Sequence, residues 1–300
     1  MTGRGAVGLG VPVLVAALLL GGCGTPRSGD LGPAPTAPPP SAAPTERPEP
    51  TPTRAVEPTP PPPTNRPPSP STAASTGTRR PDPVTIELWY VRAGLLVPTR
   101  RTRPATVATS RLALTELAAG PSPAEAATGM TTVLPAGVEV TRIADGVATL
   151  RLPSVGDPAT RRLREAQVVW TLTQFPSVRQ VRLDDAAPVD RTDYADLLPP
   201  IVVTGPIPGE RVFAPLVVTG TATVFEATVS VRVLDAAGRE VATGFGTASC
   251  GSGCRGGYRV VVGWRAVREQ KGTVEVYEVS AENGTRINTM AVPVVLAPRD

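Results

Sequence analysis

Residues 24–83 set the tightest limit on how this chain can fold, because twenty of its 37 prolines lie between Pro26 and Pro83. The rest of that stretch is mainly Thr, Ala and Ser with scattered charges of both signs and no hydrophobic period. Such a segment cannot bury enough apolar surface to offset the entropy of ordering it. All eleven aromatic residues lie at or after Trp89. The reading is a disordered, Pro/Thr-rich tether of about 60 residues followed by foldable protein. At ~3.1 Å per residue in polyproline II segments, the tether would reach at most ~190 Å.

The N-terminus indicates the compartment. Arg4 stands beside the amino terminus, and an apolar run follows from Val11 to Leu20. Ten residues are too few to span a bilayer but match the apolar region of a signal peptide. The run ends in Leu20-Gly21-Gly22-Cys23, which resembles a bacterial lipobox. That resemblance implies a signal peptide over residues 1–22 and a diacylglyceryl group on the sulfur of Cys23. It implies attachment to the cell membrane on its extracytoplasmic face, with two acyl chains giving stable anchoring.

The chain contains no histidine, which removes Ser-His-Asp and Cys-His nucleophiles and every histidine metal site. No Ser-x-x-Lys motif and no phosphate loop is present either. Cys250-Gly251-Ser252-Gly253-Cys254 is the one paired cysteine element, and in an exported chain it reads as a disulfide clip at a hairpin tip. A zinc site would need two further ligands. No cofactor and no metal are expected.

Two folded regions follow the tether. Residues 84–91 alternate and are β-branched or aromatic, as in a strand. A helix is expected over residues 106–119, ended by Gly120-Pro121. Strands over 138–143 and 147–152 flank Asp145-Gly146, a hairpin signal. Asp157-Pro158 marks the start of a second helix, with Leu163, Ala166, Trp170 and Thr173 on one face. Residues 178–183 give a closing strand. Together these indicate an α+β domain over residues 84–186. Leu117-Ala118-Ala119-Gly120-Pro121, Gly129-Met130-Thr131-Thr132-Val133-Leu134-Pro135 and Asp145-Gly146-Val147-Ala148 resemble the GerMN domain. So does the run from Gln167 through Trp170 to Val178. The resemblance implies a compact module of sporulation, germination and envelope proteins, with no established active site.

Residues 187–198 read as a solvated interdomain linker carrying Asp190, Asp193 and Asp196, three residues apart. Beyond them, short apolar runs begin near Ile201, Leu216, Val229, Tyr258, Val274 and Met290, separated by turn signals. This pattern indicates an all-β immunoglobulin-like sandwich over residues 199–297. Ala214-Pro215-Leu216-Val217-Val218-Thr219-Gly220-Thr221-Ala222, Val224-Phe225-Glu226-Ala227 and Val276-Tyr277-Glu278-Val279-Ser280 resemble the Gmad-type domain.

Residues 84–186 carry twelve arginines against nine acidic residues, whereas residues 187–300 carry eleven basic against twelve acidic. The basic excess thus belongs to the first domain, and Arg100, Arg101 and Arg103 are its candidate contact with polyanions. No aromatics interleave the basic clusters, and the compartment is wrong for nucleic acid. The expected function is a non-enzymatic binding or assembly module of the cell envelope, with envelope proteins or cell-wall polymers as partners. The alternatives are a carboxylate-dependent cell-wall glycan hydrolase and a regulatory accessory of a membrane sensor kinase or transporter.

Overall fold

The computed structural model describes residues 82–265 and 268–298. The signal peptide, Cys23 and nearly all of the expected tether lie outside them.

In the first domain, β1 (Val84–Arg92) and β2 (Leu95–Arg103) form an antiparallel hairpin. Helix α1 (Thr109–Ala119) and the single turn α2 (Pro123–Ala126) follow, then β3 (Val140–Ala144) and β4 (Val147–Leu150). Helix α3 (Pro158–Leu172) leads to β5 (Gln180–Leu183). The β3–β4–β5 sheet pairs β4 antiparallel to β3 and parallel to β5, with α3 as the crossover. Local chemistry explains these boundaries. Asp145 and Gly146 both have positive φ, 54° and 83°, as a tight hairpin with a two-residue turn requires. The Asp157 carboxylate caps α3 by accepting from the Ala159 and Thr160 N–H groups at 2.9 and 3.1 Å.

Strand β1 is buried on both faces. Ile86, Leu88 and Tyr90 are fully buried on one side, and Trp89 meets Trp170 on the other with ring centroids 4.5 Å apart. The Tyr90 hydroxyl donates to the Glu116 and Gly120 carbonyls at 3.1 and 2.7 Å, satisfying the open end of α1. Burial pushes this phenol up to about 12.

The edge of β1 that faces away from β2 has few strand partners, and polar side chains from the α3 region fill it. Thr171 Oγ1 accepts from Trp89 N–H at 3.2 Å, and Gln167 Nε2 donates to the Trp89 carbonyl at 2.8 Å. Gln174 makes both bonds to Glu87, accepting from its N–H and donating to its carbonyl at 2.7 Å each. Four helical residues advance about 6 Å and two strand residues about 6.7 Å, so one helix face can serve alternate strand residues. The run Gln167–Val178 is therefore a strand-edge substitute as well as a core face.

Residues 187–198 are not the solvated linker the sequence suggests. A 3-10 helix, Arg191–Leu197, folds back onto α3, with Tyr194 and Leu198 buried in the first core. Burial, assisted by the nearby Glu165 carboxylate, pushes the Tyr194 phenol up. Asp193 and Asp196 are exposed and Asp190 is half-buried, and these charges make the segment look like a linker in sequence.

The second domain is an immunoglobulin-like β-sandwich. Its strands are β6 (Ile201–Gly205), β7 (Arg211–Phe213), β8 (Leu216–Ala222), β9 (Thr228–Leu234), β10 (Glu240–Thr247), β11 (Gly256–Val262), β12 (Gln270–Val279) and β13 (Arg286–Ala297). One sheet runs β10-β9-β12-β13-β7 and the other β11-β8-β6. Inward positions are largely valine: Val218, Val229, Val231, Val233, Val260, Val262, Val274, Val276, Val292 and Val294. β-branched side chains suit this pleated, half-buried surface. Tyr258 is the polar exception. Its ring passes over Gly220, its partner in register, to donate to the Val202 carbonyl at 3.1 Å, where a β-carbon at Gly220 would collide with both groups.

The α+β domain and the sandwich form a seam of their own. Val97, Pro98, Met130 and Arg92 face Val203, Pro206, Pro208 and Val292 across a small cavity, and Met290 packs against both cores. Arg92 Nη2 reaches Met290 Sδ at 3.1 Å, and Arg100 bonds Glu210 at 3.0 Å. Among the described residues no helix is long and apolar enough to cross a membrane.

Candidate functional site

An open groove lies where the two domains meet. It has a volume of about 540 Å³ and is lined by Thr85, Glu87, Arg100, Thr173, Gln174, Arg191 and Thr204. Thr204 comes from β6, so both domains build the groove. A second groove of about 480 Å³ shares Thr173, Gln174 and Arg191 and continues past Phe175, Pro176, Arg179 and Asp190. The two grooves adjoin along those shared residues, and threonine hydroxyls line both.

The floor is preorganised. Arg191 lies over the Trp170 ring at 4.6 Å, donates to Thr173 Oγ1 at 2.8 Å and to the Trp170 carbonyl at 3.0 Å. Burial lowers its guanidinium from the ordinary arginine value. Glu87 accepts from Trp89 Nε1 at 2.8 Å, and Gln174 is fixed to the β1 backbone. One carboxylate lines each groove, Glu87 in the first and Asp190 in the second. Glycosidase chemistry uses a pair flanking one bond, and neither groove assembles such a pair. Fixed hydroxyls, an amide and guanidinium edges suit instead the binding of an extended polar ligand.

The three arginines expected to meet a polyanion do not form a free cationic patch. Arg100 pairs with Glu210 at 3.0 Å, and Arg103 with Glu116 at 2.7 Å. Arg101 forms a fork on Glu125, which is 1% exposed and also accepts from Thr99 Oγ1 and from Ser122 N–H. Burial alone would raise the Glu125 carboxyl, but these donors outweigh it and hold it at about 2. Alternation along β2 separates the three guanidinium groups. It sends Arg101 and Arg103 to one face and Arg100 to the other, each onto its own carboxylate. Sequence reading missed Glu125, although Ser122-Pro123-Ala124-Glu125 has the spacing of a capping box.

Cys250 and Cys254 are bonded to each other in the loop between β10 and β11. Cys23 lies outside the described residues. The acidic residues between the domains are all used structurally. Asp190 accepts from Thr192 N–H at 2.9 Å, Asp193 from Asp190 N–H at 2.8 Å, and Asp196 pairs with Arg162 at 2.8 Å. Among the described residues no group of three or more Asp, Glu or Cys could hold a metal ion. Glu278 is buried and accepts from Phe225 N–H and Asn288 Nδ2 at 2.8 and 2.7 Å. Glu226 is exposed in a 3-10 turn.

Residues 81–184 match the family described as sporulation and spore germination, named Germane, and residues 200–285 match Gmad2, the immunoglobulin-like domain of bacterial spore germination. No curated protein matches the chain. Among solved structures, the chain is similar to the tandem GerMN domains of the sporulation protein GerM from Bacillus subtilis. Identity is 16%, coverage is 73% of this chain and 62% of that one, and the TM-score is 0.33. It is also similar to CopC from Methylosinus trichosporium OB3b, at 18% identity, 31% and 86% coverage and a TM-score of 0.21. The chain thus spans less than two thirds of the GerM structure. The two adjoining matches together cover both folded domains: residues 81–184 form a sporulation and spore germination domain, and residues 200–285 an immunoglobulin-like domain of the bacterial spore germination type.

Proposed function

We propose that the chain is an extracytoplasmic lipoprotein, anchored through Cys23, whose two domains act together as a binding and assembly head in the cell envelope. Its partners would be envelope proteins or cell-wall polymers. The observation that carries the reading is the junction groove, because residues of both domains line it and neither domain alone would present it. Support for the anchor comes from the apolar run and Leu20-Gly21-Gly22-Cys23, and support for a display role from the proline-rich stretch that follows.

Two measurements in cells test this reading. Detergent-phase partition of the expressed chain is expected to carry the wild type into the detergent phase and leave Cys23→Ser in the aqueous phase. Recovery of both in the aqueous phase contradicts the anchor. A photo-crosslinking residue at Thr85 or Thr204, on the groove, is expected to capture defined envelope components. The same residue at Ser154, exposed and outside the groove lining, is expected to capture none of them. Equal capture from both positions contradicts the groove as the binding site.

A further inference from the structure

We infer that the exposed face of the β3–β4–β5 sheet is a binding surface for a soluble polyanionic chain, one whose phosphate groups repeat along a polymer. The inference deepens the binding-module reading and rests on it for the natural source of the ligand.

The starting point is where the first domain's surplus of arginine resides. Arg100, Arg101, Arg103, Arg111 and Arg162 each face a carboxylate. Arg164 and Arg191 are spent on backbone carbonyls, Arg164 on those of Val133, Pro153 and Val155. The five ion-paired arginines add little to the field outside the protein, and Arg164 and Arg191 keep their charge but have their donors engaged inside the fold. Of the remaining arginines, Arg151 and Arg161 are exposed with no carboxylate partner among the described residues, and Arg142 and Arg182 are alike in this but share one sheet face. Both are exposed, and among the described residues neither has a carboxylate within 4.0 Å.

Strand register brings these two together. Arg142 of β3 lies opposite Thr149 of β4, and Thr149 lies opposite Arg182 of β5. Side chains in one cross-strand row share a face, and the neighbouring row of Ala148 and Val181 is buried on the other face. Adjacent strands stand about 4.8 Å apart, so the two arginines are rooted about 10 Å from each other with a small hydroxyl between them. They line an open depression of about 530 Å³ with Thr141, Ala144, Asp145, Val147 and Thr149. At one end Arg179 lies over Gly146 and donates to the Asp145 carbonyl at 2.8 Å, adding a third guanidinium beside the rim. The acidic groups nearby are Asp145 on the rim and Asp184 and Asp185 just after β5. Asp184 is engaged by the Leu152 N–H at 3.2 Å.

Guanidinium groups recognise phosphate through paired, charge-assisted hydrogen bonds, and two arms 10 Å apart at the root can hold one phosphate or two successive ones. A polymer fits better than a bilayer. The surface is concave, and its lining has Thr, Ala and Val but none of the aromatic or long aliphatic side chains that anchor a protein in lipid.

The test is calorimetric titration of the mature full chain with short-chain polyphosphate. Three proteins are compared: wild type, Arg142→Gln/Arg182→Gln, and Arg161→Gln, an exposed arginine elsewhere on the domain. Loss of the charge-assisted contacts is expected to weaken binding about tenfold or more in the double variant, with Arg161→Gln within about twofold of wild type. Binding should also weaken as salt is raised. Backbone amide shifts in wild type are expected to cluster in β3, β4 and β5. Unchanged affinity in the double variant, equal loss in Arg161→Gln, or shifts elsewhere overturn the inference. So does binding to vesicles of anionic phospholipid with none to polyphosphate. Each of these failures leaves Cys23 anchoring and the junction groove standing, since those are read by partition and crosslinking.

Discussion

In the first domain, the open edge of β1 is closed by Gln174, Thr171 and Gln167, and a buried carboxylate, Glu125, ties β2 to the turn before α2. In the second, strands find other strands, and the core is a set of valines supplied by simple alternation. The difference follows from element type. A helix laid along a strand offers no backbone donors or acceptors, so its side chains must supply them. A sandwich meets the same demand with its ladders. The first domain therefore adds to its apolar core a few polar side chains on which the helix–strand contact depends, and the second relies on its ladders and many similar apolar side chains.

The sharpest way to break this comparison is at Glu125. Glu125→Ala leaves Arg101 without its partner in a half-enclosed site, and breaking a buried pair costs about 3–5 kcal/mol. Because the folded state holds this carboxyl at about 2, below its ordinary 4.5, the stabilisation is fully present above ~4.5. It is lost as pH falls toward 2. Chemical denaturation across that window should show wild-type stability converging on that of Glu125→Ala at the acid end.

A smaller contrast sets Gln167→Leu beside Val276→Ala. The first strips partners from the Trp89 carbonyl and the Val133 N–H, both bonded by Gln167, at a cost of about 3 kcal/mol. The second removes two methyl-sized groups and opens a small cavity, at about 2 kcal/mol. Urea unfolding would measure both. If Gln167→Leu cost less than Val276→Ala, polar wiring would not be what distinguishes the first domain.

Much of the fold was legible in sequence because the signals are local. Asp157-Pro158 starts α3, Asp145-Gly146 turns the β3–β4 hairpin, and valine alternation marks most of the sandwich. Three strands were hidden, one of them β7, which is only three residues long. Pro98 and three arginines disguise β2, and Gly244 and Gly246 thin the pattern of β10, where they let β11 approach closely. The site was less legible because its pairings span the chain. Gln174 meets Glu87 across 87 residues, and Arg100 meets Glu210 across 110. From Arg100, Arg101 and Arg103 alone, a basic cluster and three separate ion pairs look the same.

The most direct test of the account is whether the two family domains form one head, since the junction groove exists only if they do. Scanning calorimetry of the chain should show a single unfolding transition whose calorimetric and van't Hoff enthalpies agree. Two separable transitions, one per domain, would contradict it.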